Sequence, residues 1–176
     1  LFADIVNFTP LAAQTSPLEL VDWLNKIFSE FDRLADRYRL EKIKTIGDAY
    51  MVVGGLPLPM GDHAQAVMEM ALAMQAAADR ITRSDGQSFQ LRIGINTGAV
   101  VAGVIGIKKF SYDLWGDAVN IASRMESQGT PGKIQVTEAT YQRIKDLYEF
   151  EPVGQVLVKG RGYLTSYQYV KRKPER

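Results

Sequence analysis

Two aspartates stand where a chain can hold a carboxylate at a fixed place. Asp4 follows the apolar residues Leu1-Phe2-Ala3 and leads into Ile5-Val6-Asn7-Phe8-Thr9-Pro10, and Asp48 lies in the tight turn of Thr45-Ile46-Gly47-Asp48-Ala49-Tyr50. An Asp at a strand end and another at a turn converge if their strands are neighbours. Two hard oxygen ligands, with phosphate supplying the remainder, suit a cation of the Mg²⁺ type. Turn aspartates are also commonplace, and spacing alone favours that plainer reading.

Asn120 and Arg124 are four apart in Val119-Asn120-Ile121-Ala122-Ser123-Arg124-Met125-Glu126, so on a helix they share a face. The planar guanidinium fork suits phosphate oxygens, although a solvated Arg paired with Glu126 or Asp117 explains the pair equally simply. Lys44 can donate and an ionised Asp113 can accept; together they could read a base edge that offers an acceptor and an amino donor, as adenine does. Lys159-Gly160-Arg161-Gly162 is a small basic turn that could touch polyphosphate. The single histidine, His63, excludes a histidine cluster for a metal. Met68, Met70 and Met74 read as core fillers, and the glycines form neither a Walker loop nor a dinucleotide fingerprint.

Composition narrows the setting of these residues. The chain has 176 residues, 46% apolar and 23% charged, with net charge +1 and no cysteine. These are globular values that exclude a disordered tail, a fibre and a coiled coil. The charge balance gives no bulk attraction to nucleic acid or an anionic membrane. Disulfides, cysteine–zinc sites and a catalytic thiol are excluded. No apolar run approaches the roughly 18 residues of a membrane span. Leu1 to Val6 reads as a strand already under way, so a domain taken from a longer chain is expected, with 1–176 a single unit.

The elements that must position the chemistry follow from periodicity. A strand is expected over 2–6 and a helix over 17–39, with Ser16 as N-cap, Glu19 closing a capping box, and a stripe of Val21, Leu24, Phe28, Phe31, Ala35 and Tyr38. Strands over 40–46 and 49–53 flank the Gly47-Asp48 turn. Asp62 caps a helix to residue 81, with Val67, Ala71, Met74 and Ala78 on one face. Strands over 91–96 and 100–105 are expected to pair around Thr97-Gly98. A helix over 115–127, a short strand over 134–136, a Thr137-capped helix over 137–147 and strands near 150, 156–158 and 167–170 complete the chain. The alternation implies an α+β sandwich, with helices covering one face of a largely antiparallel sheet.

Phe2-Ala3-Asp4-Ile5-Val6-Asn7-Phe8-Thr9, Lys42 through Met51, Arg92-Ile93-Gly94-Ile95-Asn96-Thr97-Gly98 and Tyr112 through Glu126 resemble the class III nucleotidyl cyclase catalytic domain, and Val158-Lys159-Gly160-Arg161-Gly162 resembles its late basic hairpin. Five motifs in order make the likeness specific end to end, and the bacterial homodimeric adenylate cyclases are the most similar branch. The resemblance implies a ferredoxin-like βαββαβ sandwich with extra C-terminal strands and a helix. It implies that Asp4, Asp48 and the Ile5 carbonyl bind two divalent cations, Mg²⁺ or Mn²⁺, and that Lys44 and Asp113 recognise adenine. Asn120 would orient the ribose, Arg124 would stabilise charge on the transferring phosphate, and Lys159 would hold the terminal phosphates. The backbone of Asn7, Phe8 and Thr9 would wrap the triphosphate.

Two positions depart from the family pattern. Asn7 stands where Gly is usual, and Asn is among the better residues for a left-handed backbone. Ala99 stands where some relatives carry a phosphate-binding Arg. The implied activity is conversion of ATP to 3′,5′-cyclic AMP and pyrophosphate in a homodimer with two composite sites. A cytoplasmic location is also implied, with a regulatory or membrane segment elsewhere in the full-length chain. A guanylate or dual-specificity cyclase, and a non-catalytic ATP-binding dimerisation module, are the alternatives. Guanylate cyclases of the family typically place Glu and a small residue at positions 44 and 113, and a diguanylate cyclase would need an acidic signature that is absent.

Overall fold

A computed structural model describes residues 1–175 of the chain. Strand β1 (Phe2–Ile5) is an interior strand, third in a seven-stranded sheet of order β2-β3-β1-β4-β7-β9-β8. Its neighbours are β3 (Ala49–Val53), which forms a hairpin with β2 (Glu41–Ile46), and β4 (Leu91–Ile95). Helix α2 (Pro17–Arg37) joins β1 to β2, and α3 (His63–Arg80) joins β3 to β4. This is the expected βαββαβ unit, and only the β4–β7 pair in the sheet is parallel. Beyond it come β7 (Ile134–Thr137), α5 (Glu138–Ile144) and the hairpin of β8 (Tyr148–Val158) and β9 (Gly162–Arg172).

Strand alternation assigns the faces. Ala3 and Ile5 join Tyr50, Ile93 and Ile95 in the main core under α2 and α3, with Phe31, Met68 and Met74 fully buried there. Phe2 and Met51 point the other way, into a second cluster with Leu114 and Ala122. Helix α4 (Asp117–Ser127) packs on that second face. Helices therefore cover both faces, where the sequence suggested one. The approach depends on Gly94: a Cβ there would lie 2.1 Å from the backbone nitrogen of Glu126.

Several expectations need correction. The 91–96 and 100–105 segments do not form a hairpin: β4 is flanked by β1 and β7, and β5 (Val101–Ile105) pairs instead with β6 (Ser111–Trp115) as a separate two-stranded ribbon. Gly98 makes no turn; it faces Ala118 of α4, where a Cβ would come within 2.9 Å. The third helix starts at Asp117, because Tyr112 to Trp115 are strand residues. The buried stripe of α2 is Trp23, Ile27, Phe31, Leu34 and Ala35, while Val21 is 63% exposed. Of the expected stripe, Phe31 and Ala35 are buried and Leu24, Phe28 and Tyr38 pack against the core, so Trp23, Ile27 and Leu34 widen the buried side and Val21 falls outside it. Ser16 does cap α2, accepting from the Glu19 N–H, whereas the Asp62 side chain makes no capping bond to α3. A short helix α1 (Phe8–Ala13) was not foreseen. The strands expected near 150, 156–158 and 167–170 merge into one long hairpin. No described helix is long and apolar enough to cross a membrane.

Candidate active site

The register of β1 against β3 sets Asp4 opposite Ala49, beside the hairpin turn that carries Asp48. Gly47 takes φ +59 in that turn, a conformation glycine adopts without strain. The Asp48 carboxylate lies beside that of Asp4, with its own N–H and the Ile5 N–H close by. Burial, and then the adjacent Asp4, push Asp48 up to about 7 against the pull of the backbone donors. Two carboxylates in one partly buried place repel when both are ionised. A divalent cation between them would remove that repulsion, so this donor set fits one, with the Ile5 carbonyl at the same strand end. Among the described residues no three acidic or histidine side chains are grouped to complete a cage. Oxygens of a bound phosphate would have to supply the remaining ligands.

Arg92 and Glu126 belong to this cluster and were not singled out from the sequence. Arg92 faces Asp4 across the β1–β4 ladder. Its Nε donates to Glu126 Oε1 at 2.9 Å and its Nη2 to Asp4 Oδ2 at 3.4 Å. Glu126, on α4, is 8% exposed and is the one buried charged residue among those described. Burial raises its pKa, the Arg92 hydrogen bond opposes that, and the charge of Asp4 raises it further, leaving it above the usual range. The only sequence signal was a charged residue within the apolar alternation of Leu91-Arg92-Ile93; its cross-strand partner is a matter of register.

Lys44 and Asp113 meet across two sheets. Lys44 is on β2 and Asp113 on β6, and Nζ lies 2.6 Å from Oδ2. A bulge in β2 between Lys42 and Lys44 shifts the register there. The Lys44 hydrogen bond is the main influence holding Asp113 below the usual carboxylate range, with the Leu114 N–H as a further donor to it. The pair is open to solvent, with side chains 39% and 19% exposed. It presents a donor and an ionised acceptor side by side.

Asn120 and Arg124 lie on the solvent side of α4, opposite its buried Ala122, Met125 and Glu126. Arg124 lines a surface groove with Gln128, Leu157, Lys159 and Gly160, so two cations border one trough. The β8–β9 turn is tied to α4 by Arg161, whose Nε and Nη2 reach Asp117 Oδ2 at 2.9 and 2.6 Å. Asn7 has φ +56, the left-handed conformation anticipated for it, and is the N-cap residue of α1. Phe8 and Thr9 therefore open a helix rather than a loop, and their first-turn N–H groups lack partners within it.

Within one chain the predicted residues fall into separate groups. Asp4, Asp48 and Ile5 converge, Lys44 meets Asp113, and Arg124 meets Lys159. Among the described residues no ion pair or hydrogen bond joins the aspartates of the first group to Lys44, Asp113, Asn120 or Arg124. His63, discounted as a ligand, is half-buried at the start of α3.

Comparison with known proteins identifies the class. The chain matches the adenylate and guanylate cyclase catalytic domain over residues 1–171 and belongs to that family. It is 48% identical over 173 residues to a Mycobacterium tuberculosis adenylate cyclase, covering 98% of this chain and 39% of that protein. It is 45% identical over 169 residues to the human guanylate cyclase soluble subunit beta-2, covering 95% of this chain and 27% of the relative. The chain thus spans well under half the length of these relatives. The fold superposes with a TM-score of 0.92 and 40% identity on the guanylate cyclase domain of RhGC from Catenaria anguillulae in complex with GTP, covering 98% of this chain and 94% of that one.

Proposed function

We propose that this domain is an adenylate cyclase that converts ATP to 3′,5′-cyclic AMP and pyrophosphate. The observation that carries the choice of base is the Lys44–Asp113 pair, 2.6 Å apart. Adenine offers an acceptor at N1 and a donor at N6. Lys44 donates to the first and Asp113 accepts from the second. In the same pose guanine presents the opposite pattern, N1–H and O6, and leaves both side chains mismatched. Sites built on such polar matching discriminate strongly.

The remaining residues position and neutralise. Asp4, Asp48 and the Ile5 carbonyl would hold two divalent cations, Mg²⁺ or Mn²⁺, which when bound acidify the ribose hydroxyl and offset the charge of the phosphates. Asn120 orients the ribose so that the 3′-hydroxyl faces the α-phosphorus in line with the leaving pyrophosphate. Arg124 stabilises charge on the transferring phosphoryl oxygens. Lys159 holds the terminal phosphates, and the N–H groups of Asn7, Phe8 and Thr9 border the triphosphate. Arg92 adds a positive charge beside the carboxylates. No side chain is assigned as a general base.

The working unit in this reading is a homodimer with two composite sites: one chain supplies Asp4 and Asp48, and its partner supplies Lys44, Asp113, Asn120, Arg124 and Lys159. Support comes from the absence, among the described residues, of any ion pair or hydrogen bond between these two groups within one chain, and from the β5–β6 ribbon. That ribbon and its turn expose Val101, Val104, Ile105, Ile107 and Phe110, the last two at 96% and 80%. Contiguous exposed apolar residues mark an interaction surface.

Purified protein incubated with Mn²⁺ and either ATP or GTP tests the reaction. Cyclic AMP is expected to form at least about tenfold faster than cyclic GMP. Preference for GTP overturns the base assignment, and no product from either nucleotide overturns the cyclase reading in favour of a binding module. Mixing inactive Asp48→Ala chains with inactive Arg124→Ala chains tests the shared site. Mixed dimers carry one site with both lesions and one with neither, so random pairing restores about a quarter of parental activity. A mixture that stays inactive after exchange overturns the composite site.

A further inference from the structure

Two carboxylates compete for the Arg92 guanidinium. The buried one, Glu126, holds it at 2.9 Å through Nε, and the more exposed one, Asp4, at 3.4 Å through Nη2. The contest is set by backbone packing: the missing side chain of Gly94 lets α4 sit against the sheet at Met125–Glu126, which delivers the Glu126 carboxylate to Arg92 two residues before Gly94 on the same strand face. We propose that Glu126 is a positioning residue for the carboxylate half of the site, anchoring Arg92 so that Asp4 stays free to bind a cation.

The consequence is a division along α4. Arg124 faces outward, toward the trough it shares with Lys159. Glu126, two residues further on, points inward to the cluster of Asp4 and Asp48 in its own chain. One helix therefore serves both composite sites of a dimer, and it reaches the carboxylate side through Arg92. The inference rests on the cyclase reading, but its primary readout does not require turnover.

In Glu126→Gln the guanidinium loses its charged anchor and turns fully onto Asp4, where it competes with the cation. Binding of Mn²⁺ alone to the nucleotide-free protein, followed by loss of the free-ion EPR signal, is expected to weaken by about tenfold or more, as when an outer partner of a metal ligand is lost. The double variant Arg92→Gln/Glu126→Gln removes the competitor as well and is expected to regain most of the Mn²⁺ affinity. Parental Mn²⁺ affinity in Glu126→Gln, or no recovery in the double variant, overturns the proposal. If circular dichroism shows Glu126→Gln unfolded, Glu126→Asp takes its place: it keeps the charge but withdraws it by one methylene, and parental Mn²⁺ affinity there overturns the proposal equally. In turnover at limiting Mn²⁺, Glu126→Gln chains are expected to be rescued by mixing with Arg124→Ala chains and not with Asp48→Ala chains; the reverse pattern assigns Glu126 to the Arg124 half and overturns the proposal. A parent without cyclase activity removes the functional reading but leaves the Mn²⁺ comparison interpretable.

Discussion

The two halves of the candidate site are built from different materials. The carboxylate half is built on interior strands of the main sheet and on α4, where Asp4, Arg92 and Glu126 are cross-linked and partly or wholly buried. The half that would read the base and hold the phosphates lies at the periphery: a two-stranded ribbon, the outer face of α4 and a hairpin turn tied down by the exposed Arg161–Asp117 pair. In the first half three carboxylates share one arginine and one of them, Glu126, is buried, so like charges crowd one another there. In the second half each carboxylate has its own cation, in the partly buried Lys44–Asp113 pair and the exposed Arg161–Asp117 pair, and exposed pairs contribute little to folding. In the function proposed above, a nucleotide and a second chain would cover the peripheral half.

The largest expected effect tests the crowded half. Asp48→Asn should lower turnover by on the order of a hundredfold or more, the scale of losing a preorganised charged group. The same change removes the repulsion with Asp4, so the metal-free protein should melt higher, by about 2–4 °C per kcal/mol relieved. Near-parental turnover, or a lower melting temperature in calorimetry, would break the contrast between the halves.

Next in size is the base edge. Lys44→Glu with Asp113→Cys should move the ATP/GTP preference toward GTP by about 1–3 kcal/mol, the scale of a polar mismatch. The pair is partly buried at the sheet's edge, so circular dichroism must first show the double variant folded. Competitive assays with both nucleotides measure the shift, and unchanged ATP selectivity in a folded variant removes these residues as readers.

A smaller effect concerns the ribbon. Replacing Ile107 and Phe110 by Ser should leave the circular dichroism spectrum intact while shifting the monomer–dimer equilibrium toward monomer. Sedimentation velocity reads that shift, and specific activity should then depend more steeply on protein concentration. A dimer of undiminished strength would place the interface elsewhere.

The smallest effect is thermal and pH-dependent. Lys44 holds the folded-state pKa of Asp113 below its ordinary value of 3.8. Its stabilisation is therefore fully present above pH 3.8 and is lost as pH falls through the lowered value. Asp113→Asn should lower the melting temperature slightly at pH 7, and the two proteins should converge as pH falls below the lowered pKa of Asp113. A difference that persists at low pH would assign the effect to packing rather than to the ion pair.

Local signals made much of this legible in advance. The Gly47-Asp48 turn, the Ser16 cap and the i,i+4 pairing of Asn120 with Arg124 follow from neighbouring residues, and the structure keeps all three. Non-local pairing was less accessible. The segment after β4 reads as a hairpin partner because its strand propensity is right, yet β1 and β7 flank β4 and β5 pairs with β6. The buried side of α2 is wider than its periodicity suggests, because two overlapping helical faces are both apolar, and the packed partner adds Trp23 and Ile27 while leaving Val21 exposed.

Residue type and short-range order determined by themselves most of the alternation of strands and helices and the list of charged groups able to do chemistry, while the left-handed backbone at Asn7 came from the resemblance to a family that places Gly there. Tertiary structure decided which charges meet. Asp4, Arg92 and Glu126 are separated by 88 and 34 residues along the chain, and their contact depends on strand register and on the close approach at Gly94. Lys44 finds Asp113 through a bulge and a strand that belongs to another sheet. Register and interlayer distance are set by the packing of the whole core, a sum over many weak contacts that no local stretch of sequence encodes.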